Sequence, residues 1–174
     1  YLLNGVKSMV PLAGDAELML VIATVDDSVQ GFVVTTDQPG VTVAKEEYMG
    51  LHALDLGRVT LDQVEVNASA RLGEAQNEFA LGRLLDLGRI GISAMAVGVC
   101  QATLDYVIPY CNERVAFGEP ITNRQSVAFM IGDMATELEA MRLMVYRAAA
   151  LAEQGQDFHK QSHLARLQCA RYAM

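Results

Sequence analysis

The spacing of apolar residues changes near Gly73. This change indicates that the chain consists of two parts with different secondary structure, one following the other. Before Gly73, short apolar segments alternate with turn residues and no helical stretch separates them. After Gly73, apolar residues recur at helical spacing over segments far longer than a strand. The pattern predicts an α+β chain, with a β domain over residues 1–72 and a helical domain over residues 73–174.

The first part predicts short strands joined by tight turns. Strands are expected at residues 18–25, 30–36, 41–44 and 57–66. Asn4-Gly5 predicts a two-residue hairpin at the start of the chain, because both positions of such a turn favour positive φ. Short strands without intervening helices favour an antiparallel barrel or sandwich.

The second part predicts three helices of an up-and-down bundle. The first is expected from about Glu78, with a bend at Pro109, which removes a backbone hydrogen bond. The second is expected over residues 123–153 with Gly155 after its end. The third is expected from about Phe158 and still runs where the sequence stops.

Three glycines inside the first predicted helix indicate a close approach by another backbone or by a flat ligand. Gly88, Gly91 and Gly98 occupy positions where alanine would suit a helix better. Each glycine costs about 1 kcal/mol relative to alanine in a helix interior.

Composition excludes several classes of partner. The 174 residues carry a formal charge of −8, which argues against a general surface for nucleic acid or anionic membranes. No apolar run approaches the roughly 20 residues that span a bilayer, so a soluble protein without a membrane span is expected. The three cysteines form no CxxC pair, which favours buried thiols in a reducing compartment.

The segment from Arg114 to Ile121 interrupts the helical pattern with an arginine, an aromatic residue, a glycine and a proline. Arg114 either complements the dipole of the first helix, worth about 0.3–1 kcal/mol, or forks its guanidinium onto a phosphate. Gln125 fits a capping box with Thr122 as the N-cap, and it is equally placed to bind a ligand. The residues alone leave both alternatives open.

Two further pairs of polar residues are candidates for local contacts. Asp86 and Arg89 lie three positions apart, where they can form an ion pair or contact a ligand. His159 and His163 lie four positions apart and could share a metal ion. The sequence places no third ligand beside them, so two exposed helix histidines and no metal site are expected.

The pattern Arg-x-x-Phe-Gly-x-Pro-Ile-x-x-x-Gln, from Arg114 to Gln125, resembles the C-terminal domain of flavin-dependent acyl-CoA dehydrogenases, as does the Asp-x-Gly-Arg stretch at residues 86–89. The resemblance implies a truncated form of that fold, with part of the middle β domain and part of the helical bundle. It implies that Arg114, Phe117 and Gln125 hold the FAD of a neighbouring subunit. Asp86 and Arg89 would border the acyl-CoA.

The resemblance also implies an activity, which is α,β-desaturation of an acyl-CoA thioester in fatty acid metabolism. FAD accepts the hydride, and an electron-transfer flavoprotein receives the electrons from a homodimer or homotetramer. The catalytic base would be a glutamate after Met174, because the alternative position for it is occupied by Gly88. No catalytic residue is therefore expected within the chain. The expected location is the bacterial cytoplasm, with the mitochondrial matrix as the second possibility.

One segment departs from the family pattern. Where the family has a Trp-Ile-Thr segment against the flavin ring, this chain has Met9-Val10-Pro11, which lacks the threonine hydroxyl and one backbone N–H. This departure leaves two other hypotheses. The protein could be a non-catalytic or half-site subunit of a hetero-oligomeric acyl-CoA dehydrogenase, or a flavin monooxygenase or oxidase that shares the fold.

Overall fold

A computed structural model describes residues 1–50, 52–73 and 79–173, which fall into two units, Tyr1–Leu81 and a second that begins at Gly82. The strands are β1 (Leu2–Pro11), β2 (Leu18–Val25), β3 (Ser28–Thr35), β4 (Val41–Lys45), β5 (Leu56–Glu65), β6 (Val115–Ala116) and β7 (Glu119–Pro120). The helices are α1 (Leu81–Glu113), α2 (Gln125–Glu153) and α3 (His159–Tyr172), with short 3₁₀ helices at Ala68–Ala70 and Ile121–Asn123. The predicted helix start near Glu78 lies outside the described residues.

The first unit contains two antiparallel sheets over one apolar core. One sheet has the order β1-β5-β4, and β2 pairs with β3 in the other. Both sheets contribute to the core, whose buried members are Leu3, Ala13, Met19, Val21, Phe32, Val34, Val59, Leu61, Val64 and Val66. The arrangement is a sandwich, and the described strands do not close into a barrel. The predicted strands and the predicted sandwich are confirmed.

The hairpin predicted at Asn4-Gly5 is wrong. β1 continues through both residues and pairs with β5, with a register shift between Leu3 and Gly5. The side chain of Asn4 stabilises this irregularity. The Oδ1 atom of Asn4 accepts one hydrogen bond from the backbone N–H of Gln63 at 2.9 Å and another from the Gln63 side-chain Nε2 at 2.8 Å. Pairing with a distant strand therefore outweighs the local turn preference, and the result is a β-bulge.

Gly40 provides a direct test of the sheet geometry. It has a φ of 87°, and an added Cβ would collide with the carbonyl oxygen of Asp62. We expect Gly40→Ala to lower the free energy of unfolding by about 2 kcal/mol, because alanine is strained at positive φ and cannot fit there. Urea unfolding measures the change. Gly50→Ala is the control, since a Cβ there meets no atom within 4 Å in the part of the chain that the structure describes. Equal losses in the two variants would contradict the prediction.

The second unit contains three helices around a separate apolar core. Its buried members are Val97, Leu104, Leu138, Met141, Val145, Ala165 and Cys169. The end of α2 agrees with its prediction, because Gly155 has a φ of 68° and the N–H of Gln156 bonds to the Leu151 carbonyl at 3.0 Å. Helix α1 continues through Pro109 to Glu113.

Helix α1 is apolar on nearly every face. Several apolar residues at regular helical spacing are exposed, among them Ile92, Met95 and Val99. The buried face of the helix instead carries the polar residues Asp86 and Ser93 beside apolar ones. By length and composition alone, the 33-residue helix α1 could cross a membrane: an 18-residue window of it has a mean hydropathy of 1.4 and is 17% buried. This corrects the expectation that no run reaches that length, although core helices of soluble proteins meet the same criterion.

The three glycines of α1 do not face another described backbone. A Cβ added at Gly88, Gly91 or Gly98 would meet nothing within 4 Å among the residues that the structure describes. The predicted close approach is therefore not made by the described part of this chain.

Candidate functional site

A tight hairpin connects α1 to α2 and carries the residues of the Arg-x-x-Phe-Gly pattern. β6 pairs with β7, and Phe117 and Gly118 form the two-residue turn between them with φ values of 58° and 88°. Two positive φ values in succession are those of a type I′ turn. The base of the hairpin is closed by the N–H of Ile121, which donates to the Arg114 carbonyl at 2.9 Å.

Phe117 lies at the tip of this hairpin with 93% of its surface exposed. A left-handed conformation costs a residue with a side chain about 1–2 kcal/mol, so the position would suit glycine or asparagine better. The guanidinium of Arg124 lies 4.8 Å from the centre of the Phe117 ring, and its NH2 donates to the Ala116 carbonyl at 3.3 Å. The hairpin thus presents an aromatic ring and a cation together to the surroundings.

Of the two alternatives for Gln125, the capping box is wrong. Arg124 is the N-cap without a side-chain hydrogen bond, because Thr122 belongs to the preceding 3₁₀ helix. Gln125 is exposed, and no described residue hydrogen-bonds its side chain. Arg114 is exposed as well and contributes to the turn through its backbone. Both side chains are therefore available to a ligand.

Asp86 forms the centre of a polar cluster in the second unit, although its side chain is only 6% exposed. Its Oδ1 accepts hydrogen bonds from Arg89 at 2.8 Å and from the Ser162 hydroxyl at 2.7 Å. Its Oδ2 lies 2.9 Å from His159 Nδ1, and its Oδ1 lies 3.8 Å from His163 Nε2. The local Asp86–Arg89 contact thus exists, and α3 adds three more polar side chains to it.

The two histidines are exposed, but the expectation that no third ligand accompanies them is wrong. Asp86 lies beside them, and the potential ligand atoms of Asp86, His159 and His163 all lie within 4.8 Å of one another. Sequence reasoning missed this group because Asp86 precedes His159 by 73 positions. Packing of α3 beside α1 brings these residues together.

The charge state of Asp86 predicts a pH dependence. Burial raises the pKa of Asp86. The hydrogen bonds from Ser162, His159 and Arg89 and the charge of His159 lower this pKa, and the net result is a pKa below the ordinary value of 3.8. A lowered pKa in the folded state means that stability is fully present above 3.8 and is lost as the pH falls through the folded-state value. We expect Asp86→Asn to flatten this acid limb, as measured by urea unfolding across that range. An unchanged limb would contradict the assignment.

The Met9-Val10-Pro11 segment offers few groups to a flavin ring. The N–H of Met9 donates to Glu46 Oε2 at 3.2 Å, and Pro11 has no N–H. Glu46 is also bonded by the Tyr48 hydroxyl at 2.5 Å and by Arg58 at 2.7 Å. The Tyr48 bond is the first of several contacts that lower the pKa of Glu46 despite the opposing effect of desolvation. The backbone N–H of Met9 is therefore engaged within the chain, and Pro11 offers none.

Comparisons with known proteins agree with the fold and the motifs. Residues 1–64 match the family model "Acyl-CoA dehydrogenase, middle domain", and residues 78–174 match "Acyl-CoA dehydrogenase, C-terminal domain". The CarC subunit of the caffeyl-CoA reductase-Etf complex from Acetobacterium woodii is 36% identical over 95% of this chain and 46% of its own length.

Two solved structures align with nearly all residues of this chain. Butyryl-CoA dehydrogenase from Megasphaera elsdenii aligns with a TM-score of 0.92 at 32% identity, over 99% of this chain and 47% of its own. A glutaryl-CoA dehydrogenase from Mycobacterium smegmatis in complex with FADH2 aligns with a TM-score of 0.90 at 29% identity, over 99% and 45%. The chain spans about half the length of the relatives it matches. With matches to the middle and C-terminal domains over nearly all of its residues, the chain belongs to the acyl-CoA dehydrogenase family.

Proposed function

We propose that the protein is an FAD-dependent acyl-CoA dehydrogenase, which desaturates an acyl-CoA thioester between its α and β carbons. The observation that carries this proposal is the α1–α2 hairpin. It exposes Arg114, Phe117 and Gln125 at the positions of the family pattern, and none of their side chains is needed to form the hairpin.

The residues of the hairpin fit a flavin nucleotide by their chemistry. Arg114 offers a planar guanidinium, which suits the two phosphates of a pyrophosphate. Gln125 offers an amide that can both donate and accept hydrogen bonds. The Phe117 ring adds a flat apolar surface at the tip. Bound FAD would accept the hydride that leaves the β carbon of the substrate.

Asp86 and Arg89 would border the acyl-CoA. The Asp86 carboxylate fixes one N–H group of the Arg89 guanidinium, whose side chain is 30% exposed, so the remaining groups can face an anionic substrate. The position of Gly88 carries no proton-accepting group, so the base that removes the α proton would lie after Met174.

Association and electron transfer follow from the same proposal. The flavin held by Arg114 would belong to a neighbouring subunit, which requires a homodimer or homotetramer. The relative from Acetobacterium is a subunit of a complex with Etf, and we propose an electron-transfer flavoprotein as the electron acceptor here. The bacterial cytoplasm is the proposed location.

The Met9 segment favours a second candidate, a half-site or non-catalytic subunit of a hetero-oligomeric dehydrogenase. In such a subunit, Arg114 and Gln125 would bind the flavin of the neighbouring subunit. The Met9-Val10-Pro11 segment would provide few groups to bind a second flavin. The occupied N–H of Met9 and the ring of Pro11 support this alternative.

An anaerobic titration tests both candidates. The purified protein is scanned for flavin absorbance and then mixed with acyl-CoAs of different chain lengths. Bleaching of the flavin by one chain class supports the dehydrogenase, whereas a bound flavin that no acyl-CoA bleaches favours the half-site subunit. A protein that carries no flavin and takes up none from added FAD contradicts the dehydrogenase. A parallel assay in air covers the third possibility, because turnover that occurs only with oxygen would indicate an oxidase or monooxygenase.

A further inference from the structure

We propose that Asp86, His159 and His163 form a binding site for a divalent transition-metal cation such as Zn²⁺. The site combines one carboxylate from α1 with two imidazoles from α3. Two histidines and one carboxylate are a ligand set that Zn²⁺ accepts with water as the fourth ligand. This inference concerns cation binding alone and does not depend on the proposed dehydrogenase activity.

The candidate ligand atoms of the three side chains lie close enough together to surround one cation, because all of them are within 4.8 Å of one another. His159 Nδ1 lies 2.9 Å from Asp86 Oδ2, and His163 Nε2 lies 3.8 Å from Asp86 Oδ1. Ligands bonded to one Zn²⁺ at about 2.0–2.2 Å lie about 3.3–3.6 Å apart. One measured separation is shorter than that range and the other is longer, and they involve different oxygens of Asp86. Since all candidate ligand atoms already lie within 4.8 Å of one another, rotation of the two imidazole side chains would bring them around one cation. The histidine rings already contact each other, with centroids 4.5 Å apart.

The carboxylate is oriented for coordination by residues that are not ligands. Asp86 Oδ1 is bonded by Arg89 and Ser162, which leaves Oδ2 on the side of His159. Hydrogen bonds of this kind fix ligating carboxylates in metal sites.

Access and charge decide how such a site would behave. The His159 and His163 side chains are 64% and 48% exposed, so a cation can enter from solvent and water can complete its coordination. The guanidinium of Arg89 and the N-terminus of α3 are both positive and oppose the cation. We therefore expect an exchangeable site, with weaker binding than a closed structural zinc site.

Cobalt and zinc titrations of the purified, chelator-treated protein test the proposal. Titration with Co²⁺ should give one saturable visible absorption band per chain, and calorimetry with Zn²⁺ should give the same stoichiometry. His159→Ala and His163→Ala should each weaken binding by at least about tenfold, because each removes a ligand. His52→Ala is the matched control, since His52 is the third histidine of the chain and lies in the first unit.

Two results would overturn the proposal. One is the absence of saturable Co²⁺ or Zn²⁺ binding, in which case the cluster is an ion-pair network only. The other is binding that both histidine substitutions leave unchanged. Circular dichroism verifies that each variant is folded, and His163→Gln replaces the alanine variant if that one unfolds. The readout is metal binding, so its failure is distinguishable from a failure of the flavin experiments.

Discussion

Replacing Arg114 by alanine should weaken the binding of FAD by about ten- to a hundredfold and leave the free energy of unfolding nearly unchanged. A hydrogen bond to a charged group contributes about 1.5–3 kcal/mol, and about 1.4 kcal/mol corresponds to a tenfold change in affinity. The fold should tolerate the change, because the backbone of Arg114 makes the local contacts: its carbonyl accepts from the N–H of Ile121, and its N–H donates to the Tyr110 carbonyl. Flavin fluorescence during titration of the apoprotein measures the loss.

Two companion variants make this experiment specific. Gln125→Ala should weaken FAD binding less than Arg114→Ala does, because it removes a neutral hydrogen-bonding group that contributes about 0.5–1.5 kcal/mol. Arg147→Ala removes the same charge as Arg114→Ala, but about 33 Å further along α2 than Gln125 at 1.5 Å per residue, and should bind FAD normally. Wild-type affinity in the Arg114 variant, or an equal loss in the Arg147 variant, would remove the hairpin from the flavin site.

Features of the fold that depend on neighbouring residues were predictable from the sequence. The apolar run at residues 18–25 predicted β2 by its length and its flanking turn residues. The strand is buried on one face only, because Met19 and Val21 lie in the core while Leu18 and Leu20 are exposed. Gly155 marked the end of α2 because few other residues adopt its left-handed conformation. The change of hydrophobic period predicted strands followed by helices, and β1 to β5 do precede α1 along the chain.

Features that depend on distant residues were not predictable. The hairpin predicted at Asn4-Gly5 does not form, because these residues belong to a strand that pairs with β5, more than fifty positions later. The buried face of α1 could not be chosen from periodicity, because apolar residues surround that helix.

The candidate sites divide along the same line. Arg114, Phe117 and Gln125 could be proposed from one contiguous segment, and the structure adds that the hairpin itself does not use their side chains. The surroundings of Asp86 could not be anticipated, because the local pattern indicated only its contact with Arg89. Docking of α3 supplied Ser162 and the histidines, and no local spacing encodes that contact.

Replacing Asp86 by asparagine should lower the free energy of unfolding by about 2 kcal/mol, although the two side chains have nearly the same shape. The amide cannot accept from Arg89, Ser162 and His159 together, and charge-assisted bonds to a buried carboxylate are worth about 1.5–3 kcal/mol each. The partial exposure of Arg89 and His159 lets water replace part of this loss, so the total stays below the sum. The midpoint of thermal unfolding should fall by about 4–8 °C.

The comparison with Asp133→Asn decides whether this loss comes from the cluster or from charge removal in general. Asp133 is an exposed aspartate on α2, and its substitution should change stability by less than about 0.5 kcal/mol. Circular dichroism of the helical signal during urea unfolding measures both variants under the same conditions. Equal stabilities would mean that Arg89 and α3 do not depend on Asp86. A loss confined to Asp86→Asn would show that this one carboxylate joins the first helix to the third and fixes the position of Arg89.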